Sequence, residues 1–248
     1  MNSKRIDSFI FLTALIFFAS IPNIQAESWL EKGKGVLKQA TSKSQDKNLS
    51  PDTVGKGLKE ALKVGTANVV NELGQPGGFF NDSELHIPPP ASLDRVQAVL
   101  ERVGASSMLD DLERKLNQAA ERATPKAKDL FWEAISQMTI QDVSSIYNGP
   151  DDAATRYFES KMSAPLALEM KPTVQETLSQ VGAVQSYNQI MDRYNAIPLV
   201  PKVKADLTSY TLDKTLEGIF TRLAQEEAAI RNDPAKQTTE LLTTVFGP

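Results

Sequence analysis

Apolar residues in this chain recur at intervals of three and four, and that spacing limits the fold more than any other feature. Val54, Leu58, Ala61, Leu62, Gly65, Val69 and Leu73 fall on one face of a helix with 3.6 residues per turn. Leu109, Leu112, Leu116, Ala119, Ala120 and Ala123 repeat the pattern, as do Leu212, Leu216, Ile219, Phe220, Leu223 and Ile230. Alternation of apolar and polar residues, as in a half-buried strand, is brief where it occurs, as at Lys202–Thr208, and no repeat of fixed period is visible. The expected fold is all-α, a multi-helix bundle of roughly eight to ten helices with one long Pro/Gly-rich loop.

Capping and breaking residues place the boundaries. Ser50 followed by Pro51 is a helix start, and Gly74 with Pro76 is a stop. Ser92 caps a short helix ended by Gly104, and Pro125 marks a kink or a break. Thr139 with Asp142 three residues on reads as a helix entry, and Asn148-Gly149 as an exit. Asp151 caps the next helix, and Pro165 and Pro172 divide the chain beyond it into pieces. Asp206 caps the longest clear helix, and Asp233-Pro234 restarts the chain into a last one. Ile197–Val203 holds two prolines among branched residues and reads as extended, either a docked peptide or, by default, a spacer between helices. Two extended pieces, around His86–Ile87 and Leu199–Val200, are candidates for a brief pairing.

The first 26 residues have the layout of a secretory signal peptide. Lys4 and Arg5 precede an apolar run from Phe9 to Ala19, Pro22 and Asn23 break it, and Ile24-Gln25-Ala26 offers a cleavage site. As an uncleaved anchor the run would rise only about 17 Å, against a hydrocarbon core about 30 Å thick. The organisation expected is therefore a cleavable signal over residues 1–26, a weak helix and polar linker over 27–49, and one all-α domain over 50–248. In a bacterium with two membranes the default destination is the periplasm. With 27 basic and 31 acidic residues in the whole chain, loss of Lys4, Arg5 and Asp7 leaves 25 and 30. Such a mildly acidic, mixed surface suits solubility and not the gathering of nucleic acid. No later segment is long and apolar enough to span a membrane.

Several strings resemble an uncharacterised family of bacterial exported proteins catalogued as domain of unknown function 4197. They are Gly57-Leu-Lys-Glu-Ala-Leu62, Lys115-Leu-Asn-Gln-Ala-Ala-Glu121, Asn148-Gly-Pro-Asp-Asp-Ala-Ala-Thr155, Ile197-Pro-Leu-Val-Pro-Lys202 and Ile230-Arg-Asn-Asp-Pro-Ala235. The similarity runs from about Trp29 to Phe246. It implies an exported helical protein and brings no catalytic residue, cofactor or ligand with it.

The residues themselves offer little chemistry. With no cysteine and one histidine, His86, thiolate sites and His-rich zinc sites are out of reach. His86 sits in the Pro/Gly-rich loop with no serine in a nucleophile-elbow context, so the plain reading is a loop histidine bonded to backbone or water. No calcium-loop spacing and no phosphate-binding glycine loop is present, and no cofactor is expected. Asp151 and Asp152 are the best local pair for carboxylate chemistry, but capping and an i,i+4 pair with Arg156 explain them more simply. Glu60, Asp129, Glu133 and Glu169 could meet across a cleft that sequence does not reveal.

The long loop, Gly74 to Pro90, is the strongest pointer to an interaction. Phe79, Phe80, Leu85, His86 and Ile87 form a strap too apolar for a solvated loop, whose side chains either fold back, the default, or await a partner. The reading is an exported envelope protein, more binding module than enzyme, whose partner is a protein or an apolar ligand. Its rival is a carboxylate-dependent hydrolase acting on an envelope polymer.

Overall fold

The computed structural model describes residues 49–247. The expected signal peptide, and the weak helix and linker up to residue 48, lie outside the described residues. Among the described residues nine α-helices succeed one another: α1 (Pro51–Leu73), α2 (Asp94–Arg102), α3 (Ser107–Ala123), α4 (Pro125–Gln137), α5 (Ile140–Tyr147), α6 (Ala153–Gln180), α7 (Ala183–Asn195), α8 (Leu207–Asn232) and α9 (Glu240–Phe246). Short 3-10 turns at Ala91–Leu93 and Pro234–Lys236 lead into α2 and come after α8. The described residues contain no strand, so the fold is the all-α bundle the spacing predicts.

Local chemistry accounts for most of the ends. The Ser50 hydroxyl accepts the Thr53 N–H with Pro51 in the first turn, and Asp206 accepts the Ser209 N–H at 3.0 Å. Thr139 and Asp142 form a reciprocal capping box at the start of α5. Gly104 and Gly182 take the left-handed conformation that ends α2 and α6, with φ of 71° and 78°.

Four expectations need correction. Ser92 does not cap α2; it lies inside the 3-10 turn that feeds the helix. His86–Ile87 and Leu199–Val200 do not pair, because the Asn117 side chain takes both the N–H and the C=O of Ile87. Asp151 does not cap α6: the N-cap residue is Asp152, its side chain makes no capping bond, and the free N–H groups of Ala154 and Thr155 go to Glu227 of α8, each at 2.9 Å.

Pro165 and Pro172, finally, do not divide the chain. Helix α6 runs 28 residues through both and is longer than α8. Phe158, Met162, Leu166, Met170, Val174 and Leu178 form one buried row along it, each worth roughly 1.5–3 kcal/mol. A proline inside a helix costs about 3 kcal/mol. Both prolines face solvent, where water can serve the carbonyls they leave without a donor.

Helix α6 packs along α8, and α1 lies across α4, α5, α8 and α9. Phe131 of α4 sits at the centre, edge-on to Phe158 at 5.7 Å and to Phe220 at 5.9 Å. These three rings tie α4, α6 and α8 together.

Candidate functional site

The strap folds back. Phe79 and Ile87 are fully buried and Leu85 nearly so, while Phe80 keeps 38 % exposure with its ring against that of His86. Helix α3 holds the strap through three polar side chains spaced four apart on one face. Glu113 bonds His86 Nε2, Asn117 brackets Ile87 with bonds of 2.9 and 2.8 Å, and Glu121 accepts the N–H groups of Phe79 and Phe80 at 3.2 Å each. Asn117 and Glu121 are themselves buried, so the loop's backbone is satisfied inside the fold. On the other side Gly218 of α8 makes room for the Phe79 ring: a Cβ there would lie 2.6 Å from Phe79 Cε1.

Charge reinforces this attachment. Asp82 accepts from the N–H groups of Glu84 and Leu85 and pairs with Arg222. Burial works against the Asp82 charge, but those N–H groups and Arg222 outweigh it and hold its pKa below the usual carboxylate range. For His86 burial also opposes charge, and Glu113 together with the Phe80 carbonyl overcomes it, raising the pKa above the ordinary imidazole value. His86 is a loop histidine bonded to backbone, with the addition of Glu113, which its sequence neighbours do not reveal.

The two acids of the hydrolase reading are engaged elsewhere. Asp151 accepts from Asn232 at 3.0 Å and Asp152 pairs with Arg156 at 2.8 Å. Among the described residues no three His, Cys, Asp or Glu side chains gather to hold a metal. Glu227, which caps α6, also binds Arg231, whose guanidinium donates to the carbonyls of Ile146 and Tyr147 at the end of α5. The Asn148–Thr155 and Ile230–Ala235 strings thus meet in one staple.

Open surface lies along α6. Between α4, the start of α5 and α6 runs a groove of about 740 Å³ floored by Leu130, Ala134, Met162 and Leu166. Glu133, Asp142 and Glu169 stand on its rim beside Tyr157 and Lys161. Glu133 and Glu169, two of the four acids considered for a cleft, do share one; Glu60 and Asp129 do not line it. Asp142 is held charged, its pKa lowered chiefly by its bonds to Thr139 and further by Tyr157 and Lys161. Pro165, also in the lining, has no N–H for the Lys161 carbonyl four residues back, which leaves a backbone acceptor in the same stretch. Leu168, on the outer side of α6, is 73 % exposed. On the opposite flank of α6 a second groove of about 660 Å³ runs against α8, with Asp152, Glu159, Asp213 and Glu217 among its lining.

The proline-bounded segment is a spacer with a projecting leucine. Val200 and Val203 pack against the core, and Ala205 donates to the Tyr187 hydroxyl. Leu199 is fully exposed, with φ of 66°, and Pro198, Pro201 and Lys202 are exposed beside it. Sequence reasoning missed the α6 grooves because it read the prolines as breaks; a row of apolar residues at spacing four through Pro165 and Pro172 was the available signal.

The sequence profile of the family described as protein of unknown function (DUF4197) matches residues 48–247. No curated protein and no solved structure matches the chain.

Proposed function

We propose that this chain, which belongs to the DUF4197 family, is an exported, non-enzymatic binding module of the cell envelope, and that its groove between α4, α5 and α6 seats a segment of a partner polypeptide. The observation that carries the reading is the groove itself. Its floor is apolar, its rim polar, and its volume of about 740 Å³ falls in the range of ligand-binding clefts. No helix among the described residues is long and apolar enough to cross a membrane, in keeping with a body that meets its partner in aqueous surroundings. A binding role suits the acids as well: Asp151 and Asp152, on which the hydrolase alternative rests, are spent on Asn232 and Arg156.

The test is site-specific photo-crosslinking in the native envelope. A reactive side chain at Ala134 or Leu168 should trap one defined polypeptide, and the same group at Val103, exposed on another face, should not. Adducts from all three positions alike, or from none, overturn the reading. Recovery of the chain from the cytoplasmic fraction with residues 1–26 still attached would overturn the assignment to the envelope.

A further inference from the structure

We infer that the segment seated in the α4–α5–α6 groove is a cationic amphipathic helix, a conclusion that rests on the proposed binding role and adds the chemistry of the partner. The groove asks for an apolar face. Leu130 and Ala134, partly exposed, line its floor above the buried Met162 and Leu166, and Leu168 stands exposed beside Glu169 on the outer side of α6. A helix that lays residues i, i+3, i+4 and i+7 into such a floor is a standard way of filling it.

The rims ask for positive charge. Glu133 on the α4 side and Glu169 on the α6 side carry no ion pair among the described residues, and neither do Glu159 and Asp213 of the second groove. The cations along this face are largely taken: Arg156 by Asp152, Lys214 by Glu217, while Lys161 adds to the field that keeps Asp142 charged. The surplus is negative on both flanks of α6. The Lys161 carbonyl, without the donor Pro165 lacks, is one more acceptor suited to an N–H group.

The same charge disfavours other occupants. A second copy would bring an identical acidic face against this one, and an anionic lipid surface would be repelled in the same way. The length fits a helix. Lining residues of α6 in this groove run from Tyr157 to Glu169. That is about 18 Å at 1.5 Å per residue, or just over three helical turns of a partner.

The test uses the whole chain and three synthetic helical peptides of about 18 residues. All carry leucine at i, i+3, i+4 and i+7; the remaining positions are Lys, Gln or Glu. Because the chain has no cysteine, a single Gln137→Cys bearing a fluorophore reports from the groove. The Lys peptide should bind, weaken with rising salt, and lose about tenfold in affinity in the Glu133→Gln/Glu169→Gln double variant. An Asp52→Asn/Glu101→Gln double variant, which removes equal charge from exposed positions of α1 and α2, should bind it as before. If the Gln peptide binds as tightly as the Lys peptide, the groove remains a binding site and the cationic partner is overturned. Equal loss in the two double variants also overturns it, as attraction to net charge alone. If none of the peptides changes the signal at Gln137→Cys, the groove reading and this inference fall together.

Discussion

The strap over residues 74–90 and the groove along α6 contain similar apolar side chains, but the fold treats them in opposite ways. Phe79, Leu85 and Ile87 come from an irregular segment whose backbone groups would be costly to bury unpaired. Helix α3 supplies the partners, Glu113, Asn117 and Glu121, and once the polar groups are met the apolar ones sink into the core. Leu130 and Leu168 come from helices that already satisfy their own backbones, and they keep contact with solvent, Leu130 in part and Leu168 largely. Ala134 and Pro165 beside them are small or short, Met162 and Leu166 beneath them belong to the core, and Glu133 and Glu169 at the groove's edge lack counter-charges. Anchoring polar contacts therefore distinguish a structural apolar cluster from one left open to a ligand.

The largest effects should come from breaking the strap's attachment. Phe79→Ala empties a fully buried site and is expected to cost about 3–5 kcal/mol in urea unfolding. Gly218→Ala places a methyl 2.6 Å from the Phe79 ring and should cost about 1–3 kcal/mol through overpacking. A loss below about 1 kcal/mol for Phe79→Ala would mean that the strap is a loosely held flap, and the contrast with the groove would collapse.

Next in size are the buried polar anchors. Glu121→Ala leaves two N–H groups without their acceptor, and Asn117→Ala strips both backbone groups of Ile87. Each should cost about 2–3 kcal/mol, because an abandoned buried donor or acceptor bears its full desolvation penalty. Deuterium exchange should locate the damage in residues 79–87. Protection lost evenly over the whole chain would argue against these side chains as local anchors.

These anchors mark where sequence reasoning stops. The helical class, the Ser50 and Asp206 caps and the Thr139–Asp142 box are local, written within a few residues, and they are legible. So is the apolar character of the strap. Glu121 is 42 residues from Phe79 and Glu227 is 73 from Ala154, and nothing near either acid distinguishes it from the solvated glutamates of other helices. Helix α6 misled for the converse reason. A proline is a local signal of a break, and the apolar row from Phe158 to Leu178, present in the sequence at spacing four, outweighs it only once α4 and α8 bury it. The groove depends on three helices at once, which is why Glu133 and Glu169 could be suspected from sequence but not paired.

A smaller effect should follow pH. His86 is the one histidine in the chain, so stability changes through the neutral range trace largely to its pair with Glu113. Its folded pKa is raised above the unfolded value near 6.5. The folded state thus holds the proton more tightly, and the contribution is complete below about pH 6.5 and fades as pH climbs through the higher folded value. Of the other groups near it, Asp82 is fixed by Arg222, and Tyr210, whose pKa burial raises, stays neutral and donates to the Pro88 carbonyl. The unfolding midpoint should fall between about pH 6 and 8.5 in the parent protein and stay flat in His86→Gln. A parallel fall in both proteins would assign the slope to another group.

The smallest expected effect tests the other half of the comparison. Glu133, Leu168 and Glu169 are exposed, and the α4–α6 packing depends instead on Phe131, Phe158 and Leu166 beneath them. Glu133→Gln, Glu169→Gln and Leu168→Ser should each change stability by less than about 0.5 kcal/mol. Leu168→Ser is the most telling of the three, since an exposed leucine contributes little to folding and its replacement by a polar residue should also raise solubility. A loss of about 2 kcal/mol from any of them would show that the groove's edge is bound into the fold as the strap is, and the surface would then have no site left to offer. Unchanged stability, with trapping at position 134 lost in Leu168→Ser, would separate the two regions: one spends its apolar residues on folding, the other keeps them for a partner.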